Sequence, residues 1–172
     1  LVMVGVIVWG QTRPEKRGGA WMSLYRAQSR TDGDVLPIVV NNNNFAKAPD
    51  GEPTLLSIDD VRTLFHEFGH GLHGLLSQVT YARFSGTNVL KDFVEFPSQV
   101  FEHWALEPDV LRRHALHYAT SAPIPDALLQ RFHAARQFNQ GFETVEYTAC
   151  ALIDMALHAQ DDPAGIDITA FE

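Results

Sequence analysis

Apolar side chains recur at the spacing of an amphipathic helix in the middle of the chain. Ser57 followed by Asp60 has the form of a capping box, which starts a helix by satisfying free backbone N–H groups. The apolar positions that follow lie three and four residues apart, at Val61, Leu64, Phe65, Phe68, Leu72, Leu75 and Leu76. Gly69, Gly71 and Gly74 each cost helix stability, about 1 kcal/mol relative to alanine. We therefore predict a helix here whose glycines pack closely against a neighbouring backbone segment.

The rest of the chain predicts more helices and a small β element. Apolar runs at residues 1–9 and 37–40 are typical of short strands, whereas the polar residues 11–34 contain only turn signals. The asparagines at 41–44 compete for backbone hydrogen bonds and predict a strand end or loop, and another loop follows at 46–56. Further helices are predicted at 92–104 with Asp92 as its cap, from Pro108 onward, at 125–138 and at 141–159. The fold class is therefore mainly α with a small N-terminal β element, and no linker divides the chain.

Composition and charge narrow the class of protein. A hydrophobic content of 45% in 172 residues is typical of one globular domain with a core. The formal net charge of −8 argues against a nucleic-acid partner and against adsorption to anionic lipid. The opening apolar run is too short to span a bilayer, which needs about 20 residues, and it lacks the features of a signal peptide. Cys150 has no second cysteine to pair with, so we predict a buried thiol and a cytoplasmic protein.

The predicted helix carries the motif His66-Glu67-Phe68-Gly69-His70. Positions four apart lie on the same face of a helix, so both imidazoles can reach one metal ion. The glutamate after the first histidine is placed to accept the proton of a metal-bound water. The motif therefore predicts zinc-dependent hydrolysis, most often of a peptide bond.

A catalytic zinc site needs a third protein ligand beside an open position. His73 lies on the same side of the helix, but three successive turns of one straight helix do not converge easily on a tetrahedral ion. The extended motif with a third histidine would need it at position 76, which is Leu76. Glu95, 25 residues after His70 in an otherwise apolar turn, is the better candidate. Its alternative role is that of a glutamate near a helix N-terminus that interacts with the helix dipole.

Several motifs in order resemble the thimet oligopeptidase family of zinc metallopeptidases, and within it most nearly the bacterial peptidyl-dipeptidases and oligopeptidase A. The segments that carry the resemblance lie within residues 13–160, at 16–22, 41–45, 66–73, 84–87, 92–99 and 102–104. The resemblance implies a zincin-like (gluzincin) catalytic domain that binds one zinc ion per chain through His66, His70 and Glu95. It also implies Glu67 as the general base and short peptides as substrates. These are either trimmed of C-terminal dipeptides or cut internally, and the sequence around Phe96 and Ser98-Gln99 favours dipeptide release.

The resemblance is also incomplete. The family's large N-terminal helical region, and its downstream glycine-rich loop with the histidine and tyrosine residues that bind substrate, have no counterpart among these residues. The chain does not begin with methionine, and we expect residues 1–172 to be a partial catalytic domain. Because the loss of one oxyanion donor typically costs about 10²–10³ in rate, we expect the isolated chain to be nearly inactive. The alternative is a zinc-binding helical domain without catalysis.

Other residues near the motif have two interpretations each. Glu102, seven residues after Glu95, either orients a zinc-binding histidine or is a plain surface charge. Residues Ile38–Asn43 form either an edge strand that pairs with substrate or a purely structural strand. His73 is expected to line the site without binding metal. The remaining predictions are surface or packing roles for His103, His114, His117, His133 and His158, and core positions for Phe93, Phe96, Phe101 and Trp104.

Overall fold

The computed structural model describes residues 6–9, 19–162 and 165–171, and the chain forms two compact units at residues 1–124 and 125–172. The first unit contains a small sheet and the helix that carries the histidine motif. The second unit contains the helices that follow residue 125. The assignment of the whole chain to one partial catalytic domain stays a prediction.

Among the described residues, three strands form a small mixed sheet in the order β1-β3-β2. They are β1 (Val6–Trp9), β2 (Ala20–Arg26) and β3 (Ile38–Asn43). The central strand β3 runs parallel to β1 and antiparallel to β2. The strand predicted at residues 1–9 is confirmed for Val6–Trp9, while residues 1–5 and the side chains of β1 lie outside the described part.

The sheet corrects two predictions and confirms a third. Residues 11–34 were expected to hold turns, but β2 occupies Ala20–Arg26, and its side chains alternate between half-buried and exposed as in a strand with one covered face. Strand β3 ends at Asn43, within the asparagine run where a strand end or loop was predicted, and Asn43 Nδ2 donates a hydrogen bond to Asn41 Oδ1 at 3.0 Å. Since β3 is paired on both sides, it is not an edge strand, and the interpretation that it pairs with substrate is wrong. The edge strands of the described sheet are β1 and β2.

Helix α1 (Ile58–Leu75) begins at the predicted capping box. The N–H of Asp60 donates to Ser57 Oγ at 3.0 Å, and the N–H of Ser57 donates to Asp60 Oδ2 at 2.9 Å. The helix packs against β2, β3 and the later helix α3 (Phe96–Ala105). A Cβ atom built on Gly69 would lie 2.6 Å from the Cα of Ser98, so the close packing predicted against a backbone segment is confirmed for this glycine. Gly71 and Gly74 face the side chains of β2 and β3 instead, and the contact at Gly71 is an ordinary one.

The single helix predicted at residues 92–104 is divided in two. A short helix α2 (Lys91–Val94) ends before Glu95, and α3 then begins with Pro97 in its first turn. Proline has no N–H to donate and its fixed φ suits a helix start, which explains the break. Asp92 therefore lies within α2 and does not cap a longer helix. The next helix, α4 (Pro108–His114), begins at Pro108 as predicted.

The second unit contains α5 (Asp126–Gln137), α6 (Gln140–His158) and α7 (Ile168–Phe171). The helices predicted at 125–138 and 141–159 are confirmed. Cys150 was expected to be buried, but α6 presents it to solvent together with the apolar side chains of the helix. The sequence Asp161-Asp162-Pro163 with Gly165 predicts the end of the last long helix, and of these residues Pro163 lies outside the described part.

Burial in the first unit is concentrated between α1 and the sheet and around α4. The buried apolar side chains of this unit are Val39, Phe45, Leu75, Ala105, Leu106 and Leu111. The predicted core positions Phe93, Phe96 and Trp104 are instead about half exposed in the described structure. Phe101 is half-buried and stacks on Phe65 with ring centroids 5.3 Å apart. Of the helices described, none has the length and apolar character needed to cross a membrane.

Candidate metal centre

Three side chains from two separate segments of the chain converge beside α1. His66 and His70, one turn apart, have ring centroids 4.8 Å apart and nearly perpendicular ring planes. The Oε2 atom of Glu95, at the α2–α3 junction, lies 3.1 Å from the Nε2 atom of each histidine. One ligand atom from each residue lies within 4.8 Å of the others. The arrangement therefore offers two imidazole nitrogens and one carboxylate oxygen to a common point.

The spacing of these atoms suits a small divalent ion. Zinc binds nitrogen and oxygen ligands at about 2.0–2.2 Å, and neighbouring ligands of a tetrahedral ion are then about 3.3–3.5 Å apart. The two observed separations of 3.1 Å are close to that value. Histidine nitrogen and carboxylate oxygen are also a donor set that zinc accepts in catalytic sites. The residues present therefore fit a zinc ion.

Glu102 holds the first histidine of the motif. Its Oε1 atom lies 2.6 Å from His66 Nδ1, and its Oε2 atom accepts a hydrogen bond from Arg62 Nη2 at 3.0 Å. Burial acts to raise the pKa of Glu102, but the hydrogen bonds from His66 and Arg62 outweigh it and lower the pKa. The contact between Glu102 Oε1 and His66 Nδ1 orients the imidazole ring with its Nε2 atom towards Glu95. Of the two predicted roles, this geometry matches the orientation of a histidine.

Two residues of this centre were missed by the sequence analysis. Arg62 is one turn before His66 on α1, a spacing that could have indicated a partner for Glu102. Ser98 is fully buried, and its Oγ atom lies 2.9 Å from Glu95 Oε2 and 2.8 Å from the Glu95 carbonyl oxygen. The sequence signal for Ser98 was its position three residues after the candidate ligand Glu95, where a serine hydroxyl in the first turn of a helix can reach back to the preceding side chain.

Glu67 lies beside the histidines and opens to a cleft. Burial raises the pKa of Glu67 and the charge of Glu95 raises it further, while His66 and a hydrogen bond from the backbone of Met22 act in the opposite direction. A carboxyl group with a raised pKa can accept a proton and return it near neutral pH. The cleft has a volume of about 410 Å³ and is lined by Asp59, Arg62, Thr63, His66, Glu67 and Glu102.

The buried second histidine of the motif favours the neutral form. Burial lowers the pKa of His70 more than the neighbouring Glu95 raises it, and neutral imidazole is the form that binds metal. Burial also lowers the pKa of His73, whose ring packs edge-on against Phe93 at a centroid distance of 6.1 Å. His73 is outside the converging group, as expected for a residue that lines the site. Within the described residues the group also does not include His103, His114, His117, His133 or His158.

Similarity of this amino-acid sequence to known proteins identifies the family to which the chain belongs. A model of peptidase family M3 matches residues 11–170. Dipeptidyl carboxypeptidase of Escherichia coli K12 is 48% identical over 161 residues, which are 93% of this chain and 24% of that protein. Oligopeptidase A of Salmonella typhimurium is 40% identical over 154 residues, which are 88% of this chain and 23% of that protein. Mitochondrial intermediate peptidase of Arabidopsis thaliana is 38% identical over 134 residues, 78% of this chain and 19% of that protein.

The chain thus spans about a quarter or less of the length of these curated relatives. The matched segment includes the whole of the converging group and the residues that surround it. The family resemblance inferred from the motifs is confirmed, and the chain belongs to peptidase family M3, a family of metallopeptidases.

Proposed function

We propose that this member of peptidase family M3 forms the zinc-binding part of a peptidase catalytic domain with the zincin-like (gluzincin) fold. In this proposal His66, His70 and Glu95 bind one zinc ion per chain. The main support is the position of Glu95 Oε2, 3.1 Å from both Nε2 atoms. The contact of Glu102 with Nδ1 leaves the Nε2 atom of His66 on the side of Glu95. Two imidazole nitrogens and one carboxylate oxygen facing a common point are a donor set that a catalytic zinc ion accepts.

Glu67 is the proposed general base. A zinc ion at this site would supply Lewis acidity, which lowers the pKa of bound water and polarises a carbonyl group. Glu67 takes the proton of the attacking water and passes it to the leaving amine nitrogen as the peptide C–N bond breaks. Its raised pKa supports this double role, because a carboxyl group of ordinary pKa returns a proton poorly near pH 7. Glu102 and Arg62 hold His66 in place during these steps.

The proposed substrates are short peptides, from which C-terminal dipeptides are released. The names of two relatives, dipeptidyl carboxypeptidase and oligopeptidase A, support this class of substrate. The sheet edge at β2 supports it too, since the backbone of Met22 in that strand is a hydrogen-bond partner of Glu67. An extended peptide that added to this edge would run beside Glu67. The acidic charge argues against nucleic acid and anionic membranes as partners, and a cytoplasmic location stays a prediction.

A zinc-binding helical domain without catalysis is the second candidate. Both candidates bind zinc through the same residues, but only a peptidase has a use for Glu67. The effect of a change at Glu67 therefore distinguishes them.

Metal analysis of the purified chain tests the proposed site. We expect about one zinc ion per chain, a much weaker affinity in Glu95→Ala, and an unchanged affinity in the control Glu52→Ala, whose carboxylate is exposed in the loop before α1. Undiminished zinc stoichiometry and affinity in Glu95→Ala would exclude Glu95 as a ligand. Hydrolysis by a longer chain that contains this segment, lost in Glu67→Gln with zinc retained, would support the peptidase over the non-catalytic domain.

A further inference from the structure

The third proposed ligand stands at a helix terminus but does not cap it. Glu95 is the residue before the first turn of α3, a position where a short polar side chain such as serine or aspartate commonly accepts the free N–H groups of that turn. Within the described structure the Glu95 side chain makes no such capping hydrogen bond, and it remains 49% exposed. A long side chain in this position has several rotamers open to it. Another contact is therefore needed to keep the carboxylate facing α1.

Ser98 supplies that contact from inside the fold. It is fully buried, and its hydroxyl lies 2.9 Å from Glu95 Oε2, the oxygen that also lies 3.1 Å from both histidine nitrogens. The carbonyl oxygen of Glu95 is 2.8 Å from the same hydroxyl, which has only one proton to donate. An ionised carboxylate is the stronger acceptor of the two. The hydroxyl therefore favours the carboxylate and restrains the Oε2 atom.

The position of Ser98 relative to the histidines is itself fixed by a backbone contact. Gly69, the residue before His70, lies so close to α3 that a Cβ atom would be 2.6 Å from Ser98 Cα and 2.9 Å from the Pro97 carbonyl oxygen. The first turn of α3 therefore rests directly on α1 at the histidine motif. A hydroxyl mounted on this turn has little freedom to move relative to either histidine.

We infer that Ser98 is a positioning residue that presets the Glu95 carboxylate so that one oxygen, Oε2, binds the metal. This inference rests on the proposed zinc site. Without the hydroxyl, the half-exposed side chain would sample other rotamers, and its two oxygens would become equivalent partners for the ion. Loss of a residue that orients a metal ligand typically weakens metal binding about 10–100-fold, and we expect Ser98→Ala to fall in that range.

The test uses the 172-residue chain, stripped of metal, and compares four proteins. They are the unchanged chain, Ser98→Ala, Ser98→Thr and the control Ser85→Ala. Ser85 is also fully buried in the first unit, but its Oγ atom accepts the N–H of Gln28 at 3.2 Å and is not part of the metal centre. Zinc affinity is measured by competition with a chelator, and the visible spectrum of bound Co²⁺ reports the coordination geometry. Thermal unfolding of the metal-free chain reports stability separately.

We expect Ser98→Ala to weaken zinc binding about 10-fold or more and to change the Co²⁺ spectrum. Ser85→Ala should have the same zinc affinity and the same Co²⁺ spectrum as the unchanged chain. Ser98→Thr keeps the hydroxyl, so its zinc affinity should stay near that of the unchanged chain even where its added methyl group lowers the unfolding temperature. Unchanged affinity and spectrum in Ser98→Ala would overturn the inference while leaving the zinc site standing. Equal losses in Ser98→Ala and Ser98→Thr would also overturn it, because the effect would then follow packing and not the hydroxyl. Failure of the unchanged chain to bind zinc would overturn the proposed site and this inference with it.

Discussion

The contact between Gly69 and α3 leads to a prediction whose size follows from the structure. In Gly69→Ala the new Cβ atom would meet Ser98 Cα at 2.6 Å and the Pro97 carbonyl oxygen at 2.9 Å. Carbon atoms in good contact are about 3.5–4.0 Å apart, so α3 would have to move by about 1 Å. Both obstructing atoms belong to the backbone and cannot rotate away. The substitution therefore displaces the helix that carries Glu95 relative to the histidines on α1.

The expected energy of Gly69→Ala is a balance of two terms. Overpacking of a well-packed interface costs about 1–3 kcal/mol, whereas alanine in a helix interior gains about 1 kcal/mol over glycine. Gly71→Ala is the matched control, since its Cβ atom would meet Val39 Cγ1 at 3.6 Å, an ordinary contact. Gly71→Ala should therefore gain most of the stability that alanine gives a helix over glycine, without the cost of overpacking. We therefore expect Gly69→Ala to be less stable than Gly71→Ala by about 1–3 kcal/mol.

Urea unfolding of the metal-free variants and their zinc affinities measure the two consequences. Gly69→Ala should unfold at a lower urea concentration than Gly71→Ala and bind zinc more weakly than the unchanged chain. Equal stability of the two variants, together with an unchanged zinc affinity in Gly69→Ala, would refute the reasoning that this glycine sets the distance between α1 and α3.

Three further predictions concern the same centre. Glu102→Gln should weaken zinc binding about 10–100-fold, because the side chain that orients His66 loses its charge. Competition with a chelator measures this affinity, and an unchanged value would contradict the orienting role of Glu102. Zinc affinity should fall as the pH is lowered, since protons compete with zinc for the imidazoles. Burial lowers the pKa of His70, so protonation of His70 should weaken zinc binding only below about pH 6.5, the ordinary histidine pKa. An affinity independent of pH between 5 and 8 would contradict this. The purified 172-residue chain should hydrolyse peptides negligibly, and measurable hydrolysis that Glu67→Gln abolishes without loss of zinc would show the prediction to be wrong.

Local patterns in the sequence predicted the parts of this structure that depend on neighbouring residues. The capping box at Ser57 and the apolar spacing of α1 are properties of one segment, and a helix follows from them without knowledge of the rest. The convergence of the histidines follows equally from one helical turn. Strand β2 and the central position of β3 depend instead on pairing between strands that are distant in the chain, so the turn signals at residues 11–34 misled the prediction. Exposure of Cys150 could not be read from its residue type, because burial depends on what packs over α6.

The break between α2 and α3 is the difference from prediction that matters most for the site. Pro97 lies in the first turn of α3 and Glu95 is the last residue before that helix, so Ser98 is a first-turn residue whose hydroxyl points back to the carboxylate. Gly69 then allows this first turn to rest on α1. Because Glu95 stands at this junction, we expect Pro97→Ala to weaken zinc affinity, measured by chelator competition, more than it lowers the urea midpoint of the metal-free chain. A loss of stability with an unchanged zinc affinity would contradict the link between the break and the position of Glu95.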